Sequence, residues 1–436
     1  MHQSAKTEAA QKHVVIIGGG FAGLNCAKKL ASGSSLRITL IDKNNYQQFQ
    51  PLLYQVATGI LSPENAAFNL RDVFVLDQNV EVKMLEIVSV DLAARRASGR
   101  DGDVYEGDYL VLAAGSVANF FRIPGVDQYT FPMYSLQDAE RLRSRILEML
   151  EAADRESGSS GKRSLRVVVV GAGPTGVEIA GAMADILHRM PKHLYPNLDL
   201  SRASITLVDM GTKVLPPFTQ KSQEYAAHIL NERGVTLRLG HSVKEVTASD
   251  ILLSDGSHLE AELVVWAGGL KASALSNSLG IKPGHGSRID VQPDLTVAGY
   301  PGVYALGDFA NINGDDGKPL PQLAAVAQQA GRHCAANILA DASGKQQRPF
   351  AYLDKGVMAM VGRNAAVAEV GSVHYPITGV LAFAAWLGVH AALLTTVRAK
   401  LDAFFEWAWD YFGSVHVSPI LDRANVDWAP EKPSTP

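Results

Sequence analysis

An α/β fold with two Rossmann-type domains and a C-terminal amphipathic helical tail is predicted by three observations. A β-branched strand breaks into a glycine turn that opens a helix near residue 13, the same pattern returns near residue 166, and residues 375–397 carry no charge at all.

The 436 residues exceed one typical domain, and 47% hydrophobic against 19% charged residues is enough for more than one core. A net charge of −4 with scattered Lys and Arg leaves no electrostatic footprint for nucleic acid, which is not expected as a partner. Cys26 and Cys334 each stand alone, so they are expected to be small buried hydrophobes rather than a disulfide or zinc cluster. The 12 histidines, His188, His193 and His390 among them, show no HExxH or paired Cys/His spacing, and no metal is expected. Met1–Lys12 is polar and carries Glu8, unlike a secretory or transit segment, which points to a chain retained in the cytoplasm.

In the first unit the apolar run 13–17 breaks into Gly18-Gly-Gly-Phe-Ala-Gly23 and a strand follows at 36–41. Gly18 suits the tight turn, Gly20 lets backbone approach a pyrophosphate, and Gly23 allows close helix packing; the helix N-terminus favours the phosphate charge. Asp42 ends the next strand near the roughly 20-residue spacing expected of an acid that hydrogen-bonds a ribose diol. In the second unit Gly171, Gly173 and Gly176 take the same roles and Asp209 ends the following strand, after an insertion from about Pro191 to Arg202. An acid at Asp209 favours a free 2′-hydroxyl, hence NADH over NADPH, although Lys213 lies within reach of a 2′-phosphate.

Around 297–308 the chain turns into a strand ending in Gly307-Asp308, which reads as a return to the first domain with the second inserted in it. The expected organisation is therefore 13–163 and 291–348 for the first domain, 164–290 for the inserted one and 349–436 for the tail, with a flexible crossing at Ser157–Arg163. Two such sites in one chain imply non-covalent FAD on the first domain, NADH on the second, and a hydride passed across a cleft between them. Two further strand ends, at Gly115 and Gly268, finish in small residues where backbone must pass close to a planar ligand. Glu178, two residues past Gly176, is favoured by the helix dipole and is also placed to face the flavin. No cysteine pair lies on a fingerprint strand or in the tail, which argues against a thiol relay.

With these residues in hand, the chain resembles the type II NADH dehydrogenases, single-subunit NADH:quinone oxidoreductases of the respiratory chain, from His13 to about Asp422. Beyond the two fingerprints the family-like segments are Phe49-Gln-Pro-Leu-Leu-Tyr-Gln-Val-Ala-Thr-Gly59, Phe68-Asn-Leu-Arg71, Leu306-Gly-Asp308, Asp354-Lys-Gly-Val-Met-Ala-Met360 and Trp386-Leu-Gly-Val-His390. The resemblance implies that Asp308 hydrogen-bonds the ribityl and phosphate part of FAD, that Glu178 lies near the nicotinamide, and that Gln329 lies close to the quinone. The sequence departs from the family at Ala324-Ala-Val-Ala-Gln-Gln-Ala330, where only Gln329 is in register with a family glutamine, and at Gln47, where relatives often have histidine.

The uncharged stretch 379–397 is nearly long enough to span a bilayer, yet it carries His390, Thr395 and Thr396. Arg398, Lys400 and an aromatic segment follow, with Trp407, Trp409 and Tyr411 suited to headgroup level. Two helices lying on the membrane surface fit better than a span, with a buried dimer interface as the other option. The expectation is a peripheral, non-proton-pumping NADH:quinone oxidoreductase on the cytoplasmic face of the membrane. Its rivals are a soluble reductase of a small electron-carrier protein, which has no use for such a tail, and a non-catalytic flavoprotein that senses NADH.

Overall fold

β-branched runs bounded by glycine turns become parallel strands buried on both faces, and this happens twice in the computed structural model. The structure describes residues 11–32, 36–156, 165–190, 193–394, 396–412 and 421. The crossing expected at Ser157–Arg163 lies outside the described residues, as do residues 1–10 and the side chain of His188.

The chain groups into two compact units: Met1–Gln47 with Asn69–Val117 and Leu270–Leu353, and Gln48–Phe68 with Ala118–Gly269 and Asp354–Pro436. In contact terms it has already passed from the first to the second by Ala118. The long helix Leu136–Glu156 packs against the helix Leu53–Ala57 inside the second unit, so the change of unit precedes the polar stretch at 157.

In the first unit a five-stranded parallel sheet runs in the order Val303–Ala305, Tyr109–Leu112, His13–Ile17, Arg37–Asp42, Val80–Met84. The register pairs Val14 with Ile38 and with Tyr109, which puts the glycine turn after Ile17 at the carboxyl end of the central strand. The helices Phe21–Ala31 and Ala324–Ala342 pack closely on each other and bring Cys26 and Cys334 side by side, both buried. Burial and the neighbouring sulfur push the Cys334 thiol well above its ordinary pKa.

The second unit repeats the arrangement in the order Phe131–Pro132, Leu263–Trp266, Arg166–Val170, Ser204–Asp209, Val235–Leu239, again parallel. Its core joins Val168, Val170 and Val208 to Ile251, Leu253 and Trp266. An antiparallel sheet, Gly356–Gly362, Ala365–Val370 and Tyr375–Gly379, packs on the helix Pro174–Arg189. The approach is close: a Cβ on Gly181 would lie 2.0 Å from the Val361 carbonyl oxygen. The helices Val380–Leu393 and Val397–Phe412 complete the unit, so the tail is part of a folded body.

Candidate functional site

The two glycine loops are built alike. Gly18 has φ of +102° and Gly171 of +105°, a left-handed region that penalises any Cβ, and a Cβ there would meet a strand-end carbonyl at 2.2 and 2.3 Å. Around Gly20 and Gly173 a Cβ would meet nothing within 4 Å, so the helix N-termini open onto free space. Behind them Gly23 and Gly176 each press on the first glycine's carbonyl, at 1.9 and 1.7 Å for a built Cβ.

The acids follow the same plan. Asp42 accepts from Gly19 N at 2.6 Å and Asn44 N at 2.8 Å, while Asp209 accepts from Ala172 N and Gly211 N, both at 2.6 Å. Burial raises the Asp42 pKa against the pull of its two N–H donors. Each carboxylate is fixed by its own loop with lone pairs left over, and the loop beside it opens onto free space at Gly20 and Gly173, where a phosphate can approach the helix N-terminus. These are the features a dinucleotide needs, and both sites fit one.

At the other strand ends, Gly115 has φ of +66° and its carbonyl accepts from Ser273 N at 3.1 Å, while Asp308 accepts from Ser116 Oγ at 2.8 Å. Gly268 is small for a local reason that the sequence did not reveal: a Cβ there would lie 2.9 Å from the Trp266 indole. Gln329 has both amide functions engaged by the Leu353 backbone, each at 3.0 Å, and does not line the cleft described next.

Within the second unit lies an apolar cleft of about 600 Å³. Ile146 and Leu150 of the long helix form one wall, Phe383 and Leu387 of the first tail helix another, and Tyr54, Gln55 and Glu178 are among its polar groups. The insertion after the Pro174 helix contributes Leu194 and Tyr195 and is tied to the long helix by Asn197 N donating to Asp154 at 2.7 Å. Arg143 also lines the cleft, its Nε buried with no hydrogen-bond partner.

Glu178 is 8% exposed, and its Oε1 accepts from Met360 N at 3.2 Å. Burial pushes its pKa up to about 8 against the Met360 N–H and the Trp386 side chain, which favour the charged form, and so favours the protonated carboxyl. The helix dipole, which would favour a carboxylate, loses to desolvation. Nearby, the His390 ring stacks on Trp386 with centroids 3.9 Å apart and Nδ1 donates to the Trp386 carbonyl at 2.7 Å; burial lowers its pKa to about 4 and keeps it neutral.

The aromatic tail divides in a way the sequence reading did not anticipate. Trp407, expected at headgroup level, is 7% exposed and donates from Nε1 to Gln55 Oε1 at 2.7 Å. Tyr411 is held by Asn364 at 2.9 Å and lies 4.5 Å from the Arg363 guanidinium. The buried positions recur at four-residue intervals, Ala382, Trp386 and His390 on one helix and Ala399, Ala403 and Trp407 on the next. That stripe is visible in the sequence once a helix is assumed. The opposite faces expose Leu381 at 76%, Phe405 at 66%, Trp409 at 65% and Phe412 at 85%. No helix among the described residues is long and apolar enough to cross a membrane.

Two Rossmann-like parallel sheets with matched glycine loops define the pyridine nucleotide-disulphide oxidoreductase class, and residues 12–331 match that family's model. The type II NADH:quinone oxidoreductase Ndh of Mycobacterium tuberculosis is 36% identical over 421 residues, 93% of this chain and 89% of that protein. The same organism's NdhA is 36% identical over 420 residues, 92% and 87% of the two chains. The fold is shared with NDH2 of Plasmodium falciparum, solved in complex with NADH, at a TM-score of 0.84 and 20% identity over 94% of this chain and 100% of that one. This chain belongs to the type II NADH:quinone oxidoreductase family.

Proposed function

We propose that this chain is an FAD-dependent NADH:quinone oxidoreductase whose second unit takes the quinone into its apolar cleft. FAD, when bound, supplies the two-electron chemistry that links NADH to quinone. The chain's own part is to hold, orient and protonate. Gly18, Gly20, Gly23, Asp42, Gly115 and Asp308 form the FAD site in this reading, and Gly171, Gly173, Gly176, Asp209 and Gly268 the NADH site.

The observation that carries the cleft assignment is a buried carboxyl, Glu178, on the wall of an apolar pocket. Reduction of a quinone by NADH consumes one proton beyond the hydride (NADH + H⁺ + quinone → NAD⁺ + quinol), and burial on the cleft wall raises the pKa of Glu178 and favours its protonated form as the donor. The apolar walls suit a quinone ring and its tail. Gln329, with its amide spent on Leu353, serves in this reading to hold that loop in place.

The exposed apolar face of the two tail helices supports peripheral attachment to a membrane, the cytoplasmic face being our reading, so that a lipid-soluble quinone enters without crossing water. Truncating the tail would be a poor test because Trp386 and Trp407 belong to the core. Leu381→Lys with Phe405→Glu leaves that core intact. We expect wild type to float with liposomes and oxidise NADH with a short-chain quinone, and the double variant to stop floating while keeping detergent-phase turnover. Flotation by both proteins would reject the attachment face, and absence of quinone turnover in wild type would reject the activity.

A further inference from the structure

Trp407, Gln55 and Tyr54 form a hydrogen-bond chain whose direction is fixed by chemistry. An indole N–H can only donate, so the atom of Gln55 that meets Trp407 Nε1 at 2.7 Å must be the amide oxygen. The Gln55 Nε2 then faces the Tyr54 hydroxyl at 2.9 Å, and an amide NH₂ also only donates. Tyr54 is therefore an acceptor toward Gln55, and its own hydrogen must point elsewhere. All three residues are buried, at 3% exposure for Tyr54 and Gln55 and 7% for Trp407, so water does not compete for these bonds.

All three also line the apolar cleft. Tyr54 is further clamped by an edge-on contact with Trp386, centroids 6.1 Å apart, and Trp386 meets Trp407 edge-on at 6.2 Å. The second tail helix is tied to the same segment by Glu406, which accepts from Ser62 N at 3.0 Å. A phenolic donor that is buried, oriented and turned away from Gln55 is prepared for an acceptor that enters the cleft.

We propose that Tyr54 donates a hydrogen bond to an oxygen of the bound quinone, and that Gln55 and Trp407 are positioning residues through which docking of the tail helix aims it. This rests on the reading of the cleft as the quinone site. A hydrogen bond to a quinone oxygen grows stronger as the ring gains electrons and its oxygens gain charge, so it favours the transition state over the ground state. It also connects the helix that bears the exposed apolar face to the chemistry: if that helix undocks, Gln55 loses its fixed orientation and Tyr54 its aim.

The test uses the FAD-loaded protein in detergent and follows reoxidation of the reduced flavin by a short-chain quinone in stopped flow. Reduction by NADH, run beside it, serves as the reference. Tyr54→Phe is expected to slow reoxidation about tenfold, the loss of roughly 1.4 kcal/mol from one hydrogen bond. Trp407→Phe, which keeps an aromatic ring but loses the donor, is expected to slow it by a smaller factor. The double variant is expected to equal Tyr54→Phe alone, because Trp407 acts only through Tyr54. Additive losses, or full-speed reoxidation in Tyr54→Phe, would overturn the proposal.

Gly388→Trp separates this from failure of the underlying reading. Its Cβ would meet nothing within 4 Å and it lines the cleft, so a side chain can leave the helix there and an indole takes up cleft space; unchanged flavin reduction by NADH checks that the fold is kept. Reoxidation blocked by Gly388→Trp but intact in Tyr54→Phe would reject the role of Tyr54 and keep the cleft. Reoxidation untouched by Gly388→Trp would reject the cleft itself, and Tyr54 with it.

Discussion

The two glycine loops are near copies, yet the helices they open end in different environments. Two residues beyond the last glycine the first unit has Asn25, which donates to Phe21 O at 2.9 Å and accepts from Arg332 at 3.0 Å. The second unit has Glu178 at the equivalent place, buried and with its pKa raised by that burial. One helix packs on the Ala324–Ala342 helix and buries two thiols; the other packs on the Gly356–Gly362 strand and buries a carboxyl. The lesson is that the loop and its acid are specified locally, whereas the chemistry of the helix is set by whatever covers it.

The largest effects should come from breaking the loops one at a time. Gly23→Val and Gly176→Val each drive a side chain into backbone less than 2 Å away, at a local cost of about 3 kcal/mol or more. Gly23→Val should purify without flavin absorbance. Gly176→Val should retain the flavin but lose its rapid bleaching by NADH; loss of flavin from both would mean that the units are not assigned as proposed. Next comes Asp209→Ala, which removes charge-assisted bonds worth about 1.5–3 kcal/mol and should raise the KM for NADH about 10- to 100-fold with kcat little changed. An unchanged KM would remove Asp209 from the site.

The Glu178 contrast predicts a pH dependence of stability. Its folded pKa of about 8 exceeds the ordinary 4.5, so between these values the unfolded chain releases a proton that the native state keeps. Stability should fall with rising pH in that window, by at most about 1.4 kcal/mol per unit. Glu178→Gln should flatten the slope of Tm against pH from 5 to 8 (about one residue's worth), whereas Asn25→Asp should not reproduce it; an equal slope in Glu178→Gln would show that the carboxyl is ionised.

Two histidines give a smaller contrast of opposite sign. His13 in the first unit is held below its ordinary pKa by burial and Arg37, so its contribution is present above about 6.5 and lost as pH falls. His374 in the second is raised by Glu369 at 2.9 Å and Asp354 at 3.0 Å, so its contribution is present below about 6.5 and lost as pH rises through its folded pKa. Because His374 is partly exposed, His374→Gln should cost under about 1 kcal/mol at pH 6 and less at pH 9. A Tm deficit that grows with pH would reverse the assignment.

The geometry of the glycine loops and of the acids Asp42 and Asp209 was legible in the sequence because it depends on a few neighbouring residues: a left-handed turn, a helix start, a carboxylate one strand away. The family and the apolar character of the tail were legible for the same reason, through short motifs and composition. The burial of Glu178 with its raised pKa, the hydrogen-bonded line from Trp407 to Tyr54 and the division of the tail aromatics between core and surface were not. These depend on desolvation and on partners such as Met360 and Gln55, which lie 182 and 352 positions away along the chain, and only packing brings them into contact. The sequence by itself determined the two glycine loops and the acids beside them, because those depend on neighbouring residues; the tertiary structure alone decided which polar groups are buried and which way they point, because that depends on partners far away in the chain.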